Sequence, residues 1–275
     1  MRRVVAFVSV LTALSPWSVA GASAGASTGA SAGASAGPAV KITTGKQMTV
    51  DARVTLRAYT GLVEQHLGSV LTALAAVAAS DDARSGGWDR IKTPLATIRH
   101  RVKTAAAVWY VRRDGSYFTT DVGLTNKNLS DRAYFAPLMA GRDIEGPLVV
   151  SKATGKLSAI VAAPIRVGRR VVGGLGASID LVKLAKTVQR AMSFPSNVVF
   201  YAIDSSGRCA LNKDTSLIFS FPSKLASPSL RTAVDEMLST PRGSLSYLFR
   251  GAERRVVFMR SRVTGWIFAI GMVGR

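Results

Sequence analysis

The sequence predicts an α+β protein in which one long helix precedes two similar lobes, each built on an antiparallel sheet. Residues 48–79 contain no proline and carry apolar side chains mostly at three- and four-residue steps, which is typical of an amphipathic helix. Short turns that contain glycine then separate one β-like segment from the next, and connections this short allow only antiparallel neighbours. The order strand, turn, strand that begins at residue 105 recurs with weak identity from residue 197, which indicates a second lobe.

The first 24 residues are typical of an export signal. Two arginines precede an apolar run from Val4 to Leu14, and the segments that end at Ala20 and Ala24 both match the small-x-small pattern of signal peptidase sites. A membrane anchor is the disfavoured alternative, because a span needs about 20 apolar residues and Pro16 interrupts this run. We therefore expect residues 1–24 to be removed and the mature protein to be periplasmic or secreted.

A linker rich in Gly, Ala and Ser is predicted at residues 25–43. From Gly21 to Gly37 the sequence contains almost nothing else, and such a composition behaves as a flexible tether because it buries no apolar surface. We assign no structure to the linker and expect the folded part to begin at residue 44.

The predicted helical region covers residues 44–104, with a long helix at Met48–Ala79 and a shorter one at Trp88–Val102. The first lobe is expected at residues 105–192 and the second at residues 193–275. At roughly 1.5 Å per residue the long helix would measure about 48 Å, longer than one small domain needs. We therefore expect it to run along both lobes and to bury its apolar face against them.

Alternation of apolar and polar residues between turn signals predicts the strands of both lobes. In the first lobe they are Ala105–Arg112, Ser116–Thr120, Pro147–Lys152, Ser158–Arg166 and Arg170–Asp180, followed by a helix at Leu181–Met192. In the second lobe they are Asn197–Ile203, Arg208–Asn212, Gly243–Phe249, Ala252–Arg260 and Thr264–Met272, with a helix at Pro228–Leu238.

Binding chemistry is concentrated at residues 130–135, where Ser-Asp-Arg-Ala-Tyr-Phe is interpreted as the start of a short helix. Arg132 would lie in its first turn, where the helix dipole disfavours a cation, so its presence there indicates an anion or a nearby carboxylate. Tyr134 and Phe135 follow it, and Tyr117 lies on the strand that the helix is expected to cover. Together they predict an anion site with a charged head and aromatic walls.

Local pattern leaves a second interpretation of the same residues open. Arg132 would pair with a surface carboxylate, and the aromatic side chains would simply belong to the core. Exposed ion pairs of this kind contribute about 0 to 1 kcal/mol. The candidate carboxylates are Asp131, Asp143 and Glu145.

No metal, cofactor or catalytic site is predicted elsewhere. His66 and His100 are the only histidines and have no metal-ligand spacing around them. Cys209 is the only cysteine, so no disulfide can form within the chain, and its place in a predicted strand favours a buried, inert thiol. The glycine run at residues 173–176 lies in a strand pattern and lacks the spacing of a phosphate loop. We therefore expect a binding protein and not an enzyme.

The net charge is strongly positive, since 36 Lys and Arg against 16 Asp and Glu give +20. Such a charge attracts polyanions, so a basic module that binds the cell envelope or another polyanion without a small ligand is the alternative function. Nucleic acid is disfavoured as a partner. An exported protein is not expected to meet nucleic acid in the cell. The basic residues also occur in scattered pairs such as Arg112-Arg113, without aromatic residues interleaved on one face.

Several segments resemble the double Cache domains, PAS-like extracellular sensor modules of bacterial receptors, over about Thr49–Val273. The resemblance implies two tandem PAS-like lobes, with small ligands bound in the first, membrane-distal lobe that contains Arg132. The second lobe would be the membrane-proximal one. The resemblance is carried by the long helix, Asn128–Phe135, Val150–Lys156, Ile160–Pro164, Val172–Leu181 and Thr264–Trp266.

Two departures from the family pattern bear on function. Family members are usually tethered by flanking membrane helices, whereas this chain stops two residues after Val273, so we expect a stand-alone protein that works with a separate membrane receptor. Members of the family that bind amino acids have a pattern similar to Arg-x-Trp-Tyr, followed later in the sequence by an aspartate that binds the amine of the ligand. Here Tyr134 and Phe135 replace the aromatic pair, and Ser178 stands where that aspartate would be.

We therefore expect a small carboxylate, a plain organic acid rather than an amino acid. Arg132 would grip it with two parallel hydrogen bonds, while serine hydroxyls contribute further donors and Asp180 offers the only carboxylate for an amine. The long helix is a candidate surface for a homodimer. The predicted ligand-binding residues are Tyr117, Arg132, Tyr134, Phe135, Ser151, Ser178 and Asp180.

Overall fold

The computed structural model describes residues 41–44 and 48–274, so the predicted export signal and most of the predicted linker lie outside the described residues. Its helices are α1 (Ala52–Ala78), α2 (Asp81–Arg84), α3 (Trp88–Arg101), α4 (Phe135–Met139), α5 (Leu181–Met192) and α6 (Pro228–Ser239). Its strands are β1 (Lys41–Thr44), β2 (Met48–Asp51), β3 (Ala105–Arg112), β4 (Ser116–Thr119), β5 (Gly123–Asn128), β6 (Ile144–Val150), β7 (Leu157–Val167), β8 (Arg170–Asp180), β9 (Val198–Ile203), β10 (Cys209–Asn212), β11 (Arg242–Phe249), β12 (Ala252–Arg260) and β13 (Ile267–Val273).

The long helix α1 begins four residues later than predicted. Residues 48–51 form strand β2, which pairs with β1 in an antiparallel hairpin that includes the last residues of the predicted linker. Asp51 then caps the helix, because its carboxylate accepts a hydrogen bond from the backbone N–H of Arg53 at 2.6 Å. With 27 residues the helix is about 40 Å long.

The prediction that α1 runs along both lobes is confirmed. Its buried residues recur at three- and four-residue steps, and it packs against strands β7 and β8 of the first lobe and β12 and β13 of the second. By length and composition α1 could also cross a membrane, a property that it shares with core helices of soluble proteins. Tyr59, Val63, Leu67 and Leu74 have no exposed surface.

Each lobe contains its own antiparallel sheet, as predicted. The first sheet has the strand order β5-β4-β3-β8-β7-β6, and the second has the order β10-β9-β13-β12-β11. Sequence patterns missed β5, because this edge strand is polar, mostly exposed and without alternating burial.

Both sheets have one face against α1 and the other over a smaller apolar cluster. The face toward α1 belongs to the main core, which is continuous through both lobes. On the opposite face the first lobe has a cluster that includes Trp109, Tyr117, Tyr134 and Leu138, and the second has one that includes Tyr201. Each lobe has a cavity on the face of its sheet that lies away from α1.

Candidate functional site

The segment with the predicted binding chemistry is a pair of turns and not the start of a helix. The backbone N–H of Ser130 donates to Asn128 Oδ1 at 2.7 Å, and the backbone N–H of Arg132 donates to the Leu129 carbonyl at 3.0 Å. These bonds hold residues 130–134 in turns, and α4 begins only at Phe135. The helix-dipole reasoning for Arg132 was therefore wrong, although its side chain still lines a cavity.

That cavity lies between the sheet and two irregular segments of the first lobe. Its volume is about 10 Å³, roughly the space of one water molecule. Five of the seven predicted ligand-binding residues line it: Tyr117, Arg132, Tyr134, Ser151 and Ser178. The other lining residues, which the sequence did not single out, are Trp109, Leu129, Val149, Val150, Lys152, Ala153 and Ile160.

Phe135 and Asp180 do not line the cavity. Phe135 is buried in the apolar cluster beside it. Asp180 ends strand β8 and caps α5, since its carboxylate accepts from the backbone N–H of Lys183 at 3.0 Å. Lys156 lies 3.5 Å from the same carboxylate. Asp180 therefore stabilises the junction between β8 and α5 and does not face the cavity.

Arg132 is partly exposed, and its side chain lies at the edge of the cavity. Its Nη2 donates to the carbonyl of Val150 at 3.0 Å. No carboxylate among the described residues lies within ion-pair distance of Arg132, and Asp131 pairs with Lys152 instead. A guanidinium carries five N–H donors in a planar fork, so most of its capacity is open to another acceptor.

Hydrogen bonds from charged side chains link the two segments at the rim of the cavity, residues 127–132 and residues 150–152. Lys152 donates to both carboxylate oxygens of Asp131, at 2.6 and 2.8 Å, and to the carbonyl of Asn128 at 2.6 Å. Lys127 donates in return to the carbonyl of Lys152 at 2.7 Å. The hydrogen bond from Lys152 holds the pKa of Asp131 below its ordinary value. Together with the bond from Arg132 to Val150, these contacts close the cavity.

The Tyr117 hydroxyl lies at the cavity and forms no hydrogen bond of good geometry among the described residues, although the Thr125 side chain lies close enough to offset part of the rise in its pKa. The side chain is only 1% exposed, and its burial raises the pKa of the phenol. Burial raises the pKa of Tyr134 as well. Both phenols are therefore neutral hydroxyls at physiological pH. A buried hydroxyl with no partner is unusual, so the Tyr117 hydroxyl is a group that a ligand in this cavity could satisfy.

The glycine run at residues 173–176 leaves room for the aromatic side chains that line the cavity. It lies within β8, as predicted, and Gly176 is paired across the sheet with Trp109 of β3. A Cβ atom at position 176 would overlap the indole ring. Without that atom the ring lies against the strand and stacks on Tyr134, with centroids 6.1 Å apart.

Cys209 and His66 have surroundings that fit a role in packing. Cys209 is a free, buried thiol whose pKa burial raises to about 12. His66 lies 2.6 Å from the hydroxyl of Thr104, and burial lowers the pKa of its imidazole. In the part of the chain that the structure describes, no three His, Cys, Asp or Glu side chains come together as metal ligands would.

Comparison with solved structures identifies sensor domains of the same architecture. The ligand-binding domain of the Pseudomonas aeruginosa PAO1 amino acid chemoreceptor PctB, in complex with L-Arg, is 16% identical with a TM-score of 0.65, over 80% of this chain and 93% of that one. The corresponding domain of the Pseudomonas fluorescens chemoreceptor CtaA, in complex with L-alanine, is 13% identical with a TM-score of 0.63, over 80% and 95%. The sensory domain of the Campylobacter jejuni chemoreceptor Tlp3 with isoleucine bound is 13% identical with a TM-score of 0.53, over 81% and 96%.

The similarity is one of structure. No protein-family model and no curated protein sequence matches the chain. Sequence identity of 16% or less supports a statement about fold alone. The described part of the chain has the double Cache fold, with two tandem PAS-like lobes packed along one long helix.

Proposed function

We propose that this protein is an exported binding protein that senses a small carboxylate in its first lobe. The observation that carries the proposal is the guanidinium of Arg132, which lines the cavity and has no carboxylate partner among the described residues. A carboxylate ligand would supply that partner through two parallel hydrogen bonds. The hydroxyl of Tyr117 would donate a further bond to the same anion, and Trp109 and Tyr134 would enclose the body of the ligand.

The charges around the cavity favour a plain organic acid over an amino acid. The twelve lining residues include two cations, Arg132 and Lys152, and no Asp or Glu. A ligand ammonium would therefore be desolvated without a counter-charge, which is costly. The similar domains of PctB and CtaA are described with amino acids bound, so this preference separates the proposal from a simple transfer of their ligands.

Ligand entry requires the rim to open, because the cavity has space for about one water molecule. The bond from Arg132 to the Val150 carbonyl is the one that a carboxylate would replace directly. The ties of Lys152 to Asp131 and Asn128 would hold the rim closed again once the ligand is inside. Binding and closure would thus be coupled, which suits a sensor that reports occupancy to a separate membrane receptor.

An enzyme is the less favoured interpretation, since the first-lobe cavity contains an arginine and neutral hydroxyls but no paired acid and base. Polyanion binding is the second candidate function. Arg99, Lys103 and Lys183 line an open groove of about 400 Å³ between α3 and α5, with His100 beside them. The groove contains one acid, Asp121, which lies 3.8 Å from Arg99.

A thermal-shift screen of the mature protein separates the two candidates. A ligand of the native state at about 100 times its Kd adds about 2.7 kcal/mol to the free energy of unfolding. Small carboxylates should raise the melting temperature, and their amides and simple amines should not. If only heparin-like polymers shift it, and only at low salt, the polyanion function replaces the carboxylate function.

Calorimetry on Arg132→Ala tests the site itself. Loss of a charged partner for the ligand should weaken binding of the carboxylate found in the screen by about 2 to 5 kcal/mol. Arg169→Ala is the matched control, because Arg169 is an exposed arginine outside the cavity and its loss changes the net charge equally. Equal affinities of Arg132→Ala and Arg169→Ala for that carboxylate would contradict the proposed site.

A further inference from the structure

The second lobe also contains a cavity, on the face of its sheet that corresponds to the first-lobe site. Its volume is about 20 Å³, and it lies on the side of the sheet away from α1. Strands β9, β11 and β12 form its floor, and an irregular segment from Thr215 to Ser227 and the start of α6 cover it. Its lining residues are Tyr201, Asn212, Leu217, Ser220, Pro222, Leu225, Leu230, Tyr247, Phe249 and Arg254.

Arg254 is the one charged residue in that lining. Its Nε atom is fully buried and has no hydrogen-bond partner among the described residues, although the guanidinium lies close enough to the Tyr247 hydroxyl to offset part of the rise in the pKa of that phenol. No carboxylate among them lies within ion-pair distance of its guanidinium, which stacks on the ring of Phe249 with 4.6 Å between Cζ and the ring centroid. The neighbouring acids are engaged elsewhere: Asp214 pairs with Arg250, and Glu253 pairs with Arg255. Buried N–H donors are almost always satisfied. The Nε atoms of Arg99 and Arg208 also lack hydrogen-bond partners among the described residues, but of the three only Arg254 lines this cavity, where an acceptor from outside the chain could reach it.

The other polar groups of the cavity are neutral. The Tyr247 hydroxyl donates to the Tyr201 hydroxyl at 3.2 Å, and the Tyr201 hydroxyl donates to the sulfur of Met237 at 3.8 Å. Burial raises the pKa of both phenols, so neither supplies a negative charge to Arg254. The rest of the lining is mainly apolar, with leucine, proline and phenylalanine side chains.

We infer that this cavity is a second ligand site, which takes a monocarboxylate with an apolar body. The carboxylate would accept from the buried Nε–H of Arg254 and from a second N–H of the same fork. The apolar body would lie among Leu217, Leu225 and Leu230. Because the cavity has space for little more than one water molecule, the cover must move to admit the ligand. The part of the cover from Thr215 to Ser227 contains only two 3-10 turns of three residues each, so it is the least regular wall of the cavity.

Benzoate is a suitable probe, since it combines one carboxylate with a rigid apolar body. In 15N-labelled mature protein, titration with benzoate should move and saturate the Nε–Hε signal of Arg254, which Arg254→Lys identifies by its loss. Calorimetry with Arg132→Ala also present in each variant, which removes the first-lobe contribution, should find benzoate bound at least about tenfold more weakly by Arg254→Lys, because lysine keeps the charge but lacks the fork. Arg255→Lys is the matched control, since Arg255 is the next residue, exposed and outside the lining.

The same titration separates this site from the first-lobe site. Arg132→Ala should bind benzoate at the second site with unchanged affinity, so failure of the first-lobe proposal leaves this one standing. An Arg254 signal that does not move at about 10 mM benzoate, ten times a millimolar Kd, would overturn the second site. So would equal benzoate affinities of Arg254→Lys and Arg255→Lys, or loss of benzoate binding in Arg132→Ala alone.

Discussion

In the first lobe the cavity arginine is carried by a turn, whereas in the second lobe it is carried by a strand. Arg132 lies between β5 and α4 and bonds the backbone of the opposite rim segment, at Val150. Arg254 lies within β12, and its guanidinium rests on the ring of Phe249. In the first lobe the arginine can therefore move with the rim, while in the second lobe it is fixed and only the cover can move.

The two cavities also differ in what closes them. Charged ties between Lys152, Asp131 and Lys127 close the first. Apolar side chains cover the second, and its internal hydroxyl pair is formed by Tyr201 and Tyr247. Contacts between charges at a rim are weakened by water and salt, whereas apolar contacts are not. The comparison therefore suggests a first-lobe site that exchanges ligand readily and a second-lobe site that is selective for apolar acids.

The largest effect on stability is expected from Gly176→Ala. The added methyl group would overlap the indole of Trp109, which is only 2% exposed and has no space to move into. Overpacking of this kind costs about 1 to 3 kcal/mol, and denaturant unfolding followed by circular dichroism measures it.

The second lobe offers the matched control, Gly243→Ala. Gly243 also faces an aromatic ring across the sheet, since a methyl carbon added at this position would lie 2.8 Å from the ring of Phe258. However, the overlap is smaller than at Gly176, where the added carbon would lie still closer to the indole. Gly243 is also exposed on the edge strand β11, whose backbone can shift outward, so the loss should be smaller. Equal losses in the two variants would mean that the first-lobe aromatic wall is not the tighter one.

A pair of buried tyrosines separates a packing role from a binding role. The hydroxyls of Tyr59 and Tyr117 both lack partners among the described residues. Tyr59 packs edge-to-face on Phe200 and Phe268 of the second lobe, whereas Tyr117 lines the first-lobe cavity. Removal of a buried, unsatisfied hydroxyl relieves about 1 to 3 kcal/mol of desolvation, so both Tyr→Phe variants should unfold at a higher denaturant concentration.

Their effects on binding should differ. Tyr117→Phe should weaken carboxylate binding to the first lobe by about 1 kcal/mol, the contribution of one hydrogen bond. Tyr59→Phe should leave it unchanged. Calorimetry with the same carboxylate makes the comparison, and equal binding by both variants would exclude a ligand contact for the Tyr117 hydroxyl.

The smallest effect is a pH dependence that originates at the first-lobe side of α1. Burial lowers the pKa of His66 below its ordinary value of 6.5. The unfolded chain therefore binds more protons between the two pKa values, so the contribution of His66 to stability is present above pH 6.5 and is lost as the pH falls through the folded-state pKa. His66→Gln should have a flatter melting temperature than the wild type between about pH 8 and pH 5. Parallel profiles would assign the dependence to other groups.

Much of the fold was predictable because its signals are local. Strands β8 and β12 and helix α5 have the predicted bounds, since alternation, short glycine turns and the capping aspartate at residue 180 all lie within the segment itself. The β1–β2 hairpin was missed because the sequence continues the helical pattern back to Met48, and only the cap at Asp51 stops it. Whether residues 48–51 form a strand or a helical turn depends on the strand that pairs with them, and the local sequence does not show that partner.

The site was predictable in part for the same reason. Arg132 and Tyr134 come from one segment and Ser178 from another, and the family resemblance placed them together. Trp109 and Lys152 were missed, because the register that sets Trp109 against Gly176 and the tie from Lys152 to Asp131 depend on contacts distant in sequence.

An ion pair with Arg132 is what we propose holds the ligand in the first lobe. Calorimetry of the tightest small carboxylate and of its primary amide, on the wild type and on Arg132→Gln, measures that pair directly. We expect the wild type to bind the acid about 30-fold or more tightly than the amide, and this preference should largely disappear in Arg132→Gln. The same preference in both proteins would contradict the proposed ion pair.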